Sequence, residues 1–238
     1  MNKLCALIVL AFSAWVLADA TDNEIFLEQS GDTLTLTIDQ VGFGNKFCGT
    51  ISSGACASDM MITGSNITFN VDQIGNSNQL YGPIVLSNSN IDMVFTGDSN
   101  VYDWNIGGNS AASNLDLDLT VTGSSNSWNV DIGANQSATF LNYDLTLTGD
   151  SNVFTTVVDS SNVKWDWTIT GGNNDINTLQ KDADQLLTAE FSGSDGDIDI
   201  VQQSGTCPQG TSSCSGIINL DITSDDATVT INQKDSGD

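Results

Sequence analysis

Hydrophobic and polar residues alternate one by one along much of the chain. In the segment Thr33–Asn45, every second position from Leu34 to Ile38 is leucine or isoleucine, and threonine or aspartate fills the positions between them. Alternation with period two is typical of a β-strand that is buried on one side. The pattern ends in a turn at Gly42. Residues 67–78 repeat the same order, so we expect the chain to consist of copies of one strand-and-turn unit.

A Thr-Gly or Ser-Gly turn recurs along the chain and divides it into eight units. The turn positions are Gly31, Gly64, Gly97, Gly123, Gly149, Gly171, Gly193 and Ser224. The shortest spacing, 22 residues from Gly149 to Gly171, is interpreted as the bare unit, and the longer spacings as loop insertions. Positions two and four residues before the turn, and five and seven after it, are mostly apolar. The ninth position after the turn holds glutamine or an aliphatic residue, namely Gln40, Gln73, Ile106, Ile132, Val158, Gln180, Gln202 and Gln233.

These repeats predict an all-β fold, a β-solenoid of about eight two-strand coils stacked in parallel over residues 21–238. A single unit cannot bury its apolar face, whereas stacked copies bury a continuous core. Four tryptophans fall at inward positions: Trp104, Trp128, Trp165 and Trp167. The alternative is a β-sandwich with evenly spaced hairpins.

Two sets of amides are predicted to form ladders along the solenoid. The inward glutamines Gln40, Gln73, Gln180, Gln202 and Gln233 recur in five of the eight units. A buried amide without a partner is costly, so we expect each to bond to the same position of a neighbouring coil. Asparagines follow the turn by two or three residues at Asn66, Asn100, Asn126, Asn152 and Asn174. Stacked at one corner, they are predicted to form an asparagine ladder.

Residues 1–20 have the features of a secretory signal peptide. Lys3 precedes an apolar stretch from Leu4 to Leu17, and Ala18-Asp-Ala20 matches a cleavage site. No later stretch approaches the ~20 apolar residues of a membrane span. The sequence therefore predicts an exported protein, secreted or at the cell surface, that begins at Thr21.

The chain is strongly acidic, with 30 Asp and Glu, 5 Lys and Arg, no His and a net charge of −25. This charge opposes nucleic-acid binding, which depends on cationic side chains that neutralise phosphates. General acid–base chemistry by histidine is excluded, and neither a G-x-S-x-G elbow nor a phosphate-binding loop is present. We therefore expect no enzyme and no cofactor.

Two pairs of cysteines lie close together in Gly/Ser-rich loops: Cys48 with Cys56, and Cys207 with Cys214. In an exported chain this spacing favours two local disulfides. Metal binding is the less favoured alternative because histidine is absent. Such small rings would stiffen loops without linking distant parts of the chain.

Two outward columns suggest alternative binding activities. Asp92, Asp118, Asp144 and Asp166 lie five residues before the turn, and they form either a solvated face or a column bridged by Ca²⁺. Hydroxyl residues lie just before the turn at Thr63, Thr96, Thr122, Thr148, Thr170, Ser192 and Thr223. They either bond to the turn backbone or form a rank of threonines that binds ice.

The first two units resemble the curlin repeat, in which alternating inward aliphatics lead to Gln-x-Gly-x-x-Asn. The matching residues are Leu36, Ile38, Gln40, Gly42 and Asn45, and then Phe69, Val71, Gln73, Gly75 and Asn78. The units ending at Gln202 and Gln233 keep the strand part of the motif.

Curlin proteins are secreted β-solenoids that polymerise end to end into extracellular amyloid fibres. The resemblance therefore implies a structural subunit of adhesion, biofilm or matrix fibres. It implies that the partner is a second copy of the chain, with a nucleator or a secretion apparatus as further candidates. A non-polymerising solenoid that binds ice, calcium or a glycan is the alternative function.

Overall fold

The computed structural model describes residues 8–9, 23–50, 55–75, 77–106, 113–133, 138–181, 185–203 and 216–234. These residues contain seventeen strands and no helix. The strands are β1 (Ile8–Val9), β2 (Glu28–Ser30), β3 (Thr35–Val41), β4 (Met61–Ser65), β5 (Thr68–Ile74), β6 (Gln79–Leu80), β7 (Ile84–Thr96), β8 (Val101–Ile106), β9 (Ser113–Thr122), β10 (Ser127–Ile132), β11 (Ala138–Thr148), β12 (Val153–Thr170), β13 (Asp175–Lys181), β14 (Gln185–Ser194), β15 (Asp197–Gln203), β16 (Gly216–Asp225) and β17 (Thr228–Lys234).

Every strand pairing among the described residues is parallel. The β-sandwich alternative is therefore wrong, because evenly spaced hairpins would pair antiparallel. Each strand pairs with one that lies a full coil further along the chain, which is the topology of a β-solenoid. The prediction of a β-solenoid with parallel coils is confirmed.

The coils have two faces joined by two kinds of turn. Face 1 contains β3, β5, the end of β7, β9, β11, the end of β12, β14 and β16. Face 2 contains β2, β4, β6, the start of β7, β8, β10, the start of β12, β13, β15 and β17. We call the turn from face 1 to face 2 arc A and the turn back arc B.

The core is a narrow layer between the two faces, and its middle is aromatic. Trp104, Trp128, Trp165 and Trp167 are at most 1 % exposed, which confirms their predicted inward position. Rings of successive coils stack, as for Tyr102 and Trp128 with centroids 3.7 Å apart. Burial of such side chains contributes roughly 1.5–3 kcal/mol each, so the coils are held together mainly by this core.

The shortest coil has 22 residues and consists of two similar halves. Gln73 pairs with Phe95, 22 positions later, and this coil comprises a seven-residue strand and a four-residue arc, followed by a second strand and arc. Both kinds of arc place a residue with left-handed backbone two positions after the first residue of the arc. Asn66 has φ 55° in arc B and Ser99 has φ 61° in arc A. A half-coil of 11 residues is therefore a pseudo-repeat within the full one.

The predicted column of turn glycines mixes the two arcs, and this part of the sequence alignment is wrong. Gly31 and Gly64 lie in arc B, where the Gly31 N–H donates to the Thr63 carbonyl. Gly97 lies in arc A, directly over Gly75. The spacing of 33 residues between Gly64 and Gly97 is one and a half coils, so the alignment changed from one face to the other at this point.

Most of the predicted signal peptide lies outside the described residues. Its described part is β1, which pairs with the outer edge of β3, with Ile8 opposite Leu36 and Val9 opposite Thr37. The edge of β3 that faces away from β5 is thus occupied by a segment that signal-peptide cleavage would remove.

Candidate functional site: polar ladders and the two ends of the solenoid

Two of the predicted glutamines pair on face 1 near the N-terminal end. The Gln73 Nε2 amide donates to Gln40 Oε1 at 2.5 Å and to the Lys46 carbonyl at 2.7 Å. Gln40 Nε2 donates in turn to the carbonyl of Asn23. Both side chains are buried. Each amide therefore has a partner within its own chain.

The other three glutamines form a ladder on face 2 at the C-terminal end. Gln202 Nε2 donates to Gln180 Oε1 at 2.5 Å, and Gln233 Nε2 donates to Gln202 Oε1 at 2.8 Å. Each glutamine thus donates to the preceding coil and offers its carbonyl oxygen to the following one. Gln233 is exposed, and no hydrogen bond to its Oε1 is found among the described residues.

The five glutamines therefore form two ladders and not the single column expected from their spacing. Gln73 lies beside Phe95 on face 1, whereas Gln180 lies beside Val158 on face 2. The cause is the half-coil pseudo-repeat, because Gln40 and Gln73 precede arc A and Gln180, Gln202 and Gln233 follow it by a strand. The two ladders stand on opposite faces and at opposite ends of the solenoid.

Arc A carries a buried asparagine in six successive coils. These residues are Asn45, Asn78, Asn100, Asn126, Asn152 and Asn174, each at most 4 % exposed. Asn66, which the alignment placed with them, lies in arc B. The Gly-x-x-Asn half of the motif thus continues through the middle coils that lack glutamine. The sequence contained this signal, since each asparagine follows its glycine by three residues.

The asparagine ladder is built mainly from side chain to backbone. Asn126 Oδ1 accepts the backbone N–H of Asn100 at 2.9 Å, and Asn152 Oδ1 accepts that of Asn126 at 2.9 Å. Asn174 Oδ1 accepts both the backbone N–H and the side-chain amide of Asn152, at 2.9 and 3.2 Å. Each asparagine therefore binds two coils together at the corner.

The glycine at the start of arc A is required by the close approach of coils. A Cβ at Gly123 would lie 1.9 Å from the Gly97 carbonyl oxygen, and one at Gly149 would lie 2.0 Å from that of Gly123. The φ angle of Gly123 is 143°, which L-residues rarely adopt. Gly42 begins this column, and a Cβ there would meet no atom within 4 Å.

The C-terminal coil is open at its end. Inward residues Val229 and Ile231 are 36 % and 49 % exposed, whereas Ile198 and Ile200, one coil earlier in the same columns, are 3 % and 1 % exposed. On face 1 the inward residues of β16 are likewise only partly buried. Among the described residues no strand pairs with the outer edges of β16 and β17, so apolar side chains and backbone groups are both available there.

The N-terminal coil presents the corresponding columns. Leu36, Ile38 and Gln40 are the inward residues of β3, and Ile25 and Leu27 are partly buried at the start of face 2. Gln29 continues the face 2 column, because it pairs with Ile62. The two ends of the solenoid thus carry the first and last members of the same columns.

The predicted aspartate column is real. Asp92, Asp118, Asp144 and Asp166 are in register on the outer side of face 1. Burial raises the pKa of Asp118, and the neighbouring carboxylates Asp116 and Asp144 raise it further. Among the described residues no group of three or more His, Cys, Asp or Glu side chains is arranged to hold a metal ion.

The hydroxyl rank beside it is confirmed as a column from Thr96 onward. Thr96, Thr122, Thr148, Thr170, Ser192 and Thr223 follow one another on the outer side of face 1. Thr63 does not belong to this column, since it pairs with Val85 on the other part of the coil.

The first cysteine pair forms the predicted local disulfide. Cys48 and Cys56 are bonded with their Cα atoms 5.9 Å apart. Beside them, Lys46 forms an ion pair with Glu24 at 2.7 Å, and this hydrogen bond lowers the pKa of Glu24. Phe47 is fully buried against Phe69. The insertion thus packs against the first coils, while Cys207 and Cys214 lie outside the described residues.

No protein-family model, curated protein or solved structure matches this chain. Among the described residues, no helix is long and apolar enough to cross a membrane. The functional conclusion therefore depends on the geometry of the coil itself.

Proposed function

We propose that the mature chain is a secreted structural subunit that assembles end to end into extracellular amyloid-like fibres of an adhesive or biofilm matrix. The observation that carries this proposal is the open C-terminal coil, where Val229 and Ile231 remain exposed although their columns are buried one coil earlier. Bare strand edges template the addition of further strands, and soluble solenoids require capping elements.

The N-terminal end supports the same proposal. β1 is the described partner of the outer edge of β3, and it lies in the predicted signal peptide. Cleavage after Ala20 would remove it and leave the backbone groups of β3 unpaired. The mature chain would then have two strand edges with parallel polarity, one at each end.

The proposal is tested with purified chain 21–238 by light scattering and an amyloid-binding dye, with and without sonicated seeds. We expect a lag phase that seeds abolish and a dye signal that rises with scattering. A chain that stays monomeric at high concentration, with or without seeds, would overturn the proposal and favour the non-polymerising alternative.

A further inference from the structure

We infer that two copies join in one defined register, with β16 of one molecule pairing with β3 of the next and β17 pairing with β2. The inference rests on the proposed fibre function and specifies its contact. It follows from the columns that run through the chain, since each of them ends at one face of the solenoid and begins again at the other.

On face 1 the junction is apolar. The column that begins at Leu36 continues through Phe69 and ends at Ile218, and the column of Ile38 ends at Leu220. One further level of the same stacking places Leu36 of a second copy over Ile218 and Ile38 over Leu220. Both pairs are aliphatic, so the junction buries side chains that the free C-terminal end leaves partly exposed.

Gln40 fits this register although it meets an apolar residue. Its column ends at Ile222, which has no hydrogen-bonding group in its side chain. Gln40 Oε1 already accepts from Gln73, and its Nε2 donates to the Asn23 carbonyl. Stacking on Ile222 therefore leaves no unpaired amide.

On face 2 the junction extends the glutamine ladder. The column that contains Gln180, Gln202 and Gln233 begins at Gln29, which pairs with Ile62. Every bond of this ladder runs from Nε2 of the later coil to Oε1 of the earlier one. Gln29 of the second copy would donate in the same direction to Gln233 Oε1, the carbonyl oxygen at the end of the ladder.

The glycine column gives the sharpest test of the register. A Cβ at Gly75 would lie 2.5 Å from the Gly42 carbonyl oxygen, whereas one at Gly42 meets nothing within 4 Å of its own chain. Ser224 is the last member of this column, since it pairs with Gly193. In the junction its carbonyl would take the same place beside Gly42, so a Cβ at residue 42 would clash only in the fibre.

The first experiment compares Gly42→Ala with Gly75→Ala in chain 21–238. Gly42→Ala should lower the urea midpoint of the monomer less than Gly75→Ala, because Gly75→Ala also clashes within the chain. We expect Gly42→Ala monomers to elongate wild-type seeds at least about tenfold more slowly than wild type, from steric strain at the junction. Elongation at the wild-type rate would overturn the register.

The second experiment does not depend on backbone strain. The register places Thr223 of one molecule beside Val41 of the next, and both are exposed. Val41→Cys and Thr223→Cys are made separately in a Cys207→Ser, Cys214→Ser background, mixed, assembled and oxidised. Adjacent strands lie about 4.8 Å apart, within the Cα separation of a disulfide, so cross-linked dimers are expected from the mixture only.

The matched control pairs Val41→Cys with Asn219→Cys, another exposed outward position of β16. Residue 219 lies four positions from 223, so the two sulfurs would be about 13 Å out of register and should not cross-link. Cross-linking at 219 and not at 223 would overturn the register while leaving the fibre proposal intact. If the wild type forms no fibres at all, the proposed function itself fails.

Discussion

Replacing Asn152 by alanine tests whether the arc A ladder holds the coils together. Asn152 Oδ1 accepts the buried backbone N–H of Asn126 at 2.9 Å, and its Nδ2 donates to Asn174 Oδ1 at 3.2 Å. Alanine leaves the Asn126 N–H without a partner, which costs about 1–3 kcal/mol, and removes an amide bond of about 0.5–1.5 kcal/mol. We therefore expect a loss of roughly 2–4 kcal/mol in the free energy of unfolding.

Urea unfolding of monomeric chain, followed by tryptophan fluorescence, measures this loss, because the four tryptophans in the core become exposed. Thermal unfolding should show a decrease of roughly 4–16 °C in Tm for a chain of this size. The matched control is Asn129→Ala. Asn129 is exposed and donates to Asp103 Oδ1 at 3.0 Å across the same coil spacing.

An exposed hydrogen bond of this kind contributes little, so Asn129→Ala should change stability by less than about 0.5 kcal/mol. Equal and small losses for both variants would refute the reasoning, since the buried asparagine would then contribute no more than a surface one. A large loss for Asn129→Ala alone would also refute it.

Three further predictions concern the glycine column, the acidic face and the glutamine ladder. Gly123→Ala should cost about 2–4 kcal/mol in urea unfolding, more than Gly42→Ala, and equal losses would contradict the coil-spacing argument. Burial and neighbouring carboxylates raise the pKa of Asp118, so stability is full below its ordinary pKa and is lost as pH rises through the raised pKa; Tm should increase from pH 7 to about 4, and less so in Asp118→Asn. Gln202→Leu should cost about 1–3 kcal/mol by leaving neighbouring amides unpaired, whereas adding Gln180→Leu should recover part of the loss in the same urea assay.

Much of the fold could be predicted because the inward columns are apolar at period two. Trp128 and Trp167 alternate with polar neighbours, and such side chains have only one buried place in a stacked coil. The proximity of Cys48 to Cys56 in sequence was enough to predict their disulfide. Parallel pairing followed from the repeat, since equivalent strands of successive coils run in the same direction.

The assignment of residues to faces could not be predicted in the first two coils. Both arcs need a left-handed residue two positions after the first residue of the arc, so Gly64 with Asn66 and Gly97 with Ser99 have the same local pattern. An 11-residue half-coil therefore shifts the alignment without breaking the alternation. The contact of Gln73 with Gln40, and not with the C-terminal glutamines, is a tertiary fact that local spacing does not contain.

The placement of the asparagine column shows the converse. The full motif with Gln40 and Gly42 drew attention to the first units, yet Gly-x-x-Asn continues as far as Asn174. The reason is physical, because the corner requires the glycine for close approach and the asparagine for its backbone partner. The inward position before the arc accepts either glutamine or an aliphatic residue.

The most direct test of the central claim is electron microscopy of assembled chain 21–238 combined with X-ray diffraction of aligned fibres. We predict unbranched filaments with a strong reflection at about 4.7–4.8 Å along the fibre axis, since end-to-end stacking continues the coil spacing in that direction. Discrete particles at high concentration, or filaments whose 4.7–4.8 Å reflection lies across the axis, would contradict it.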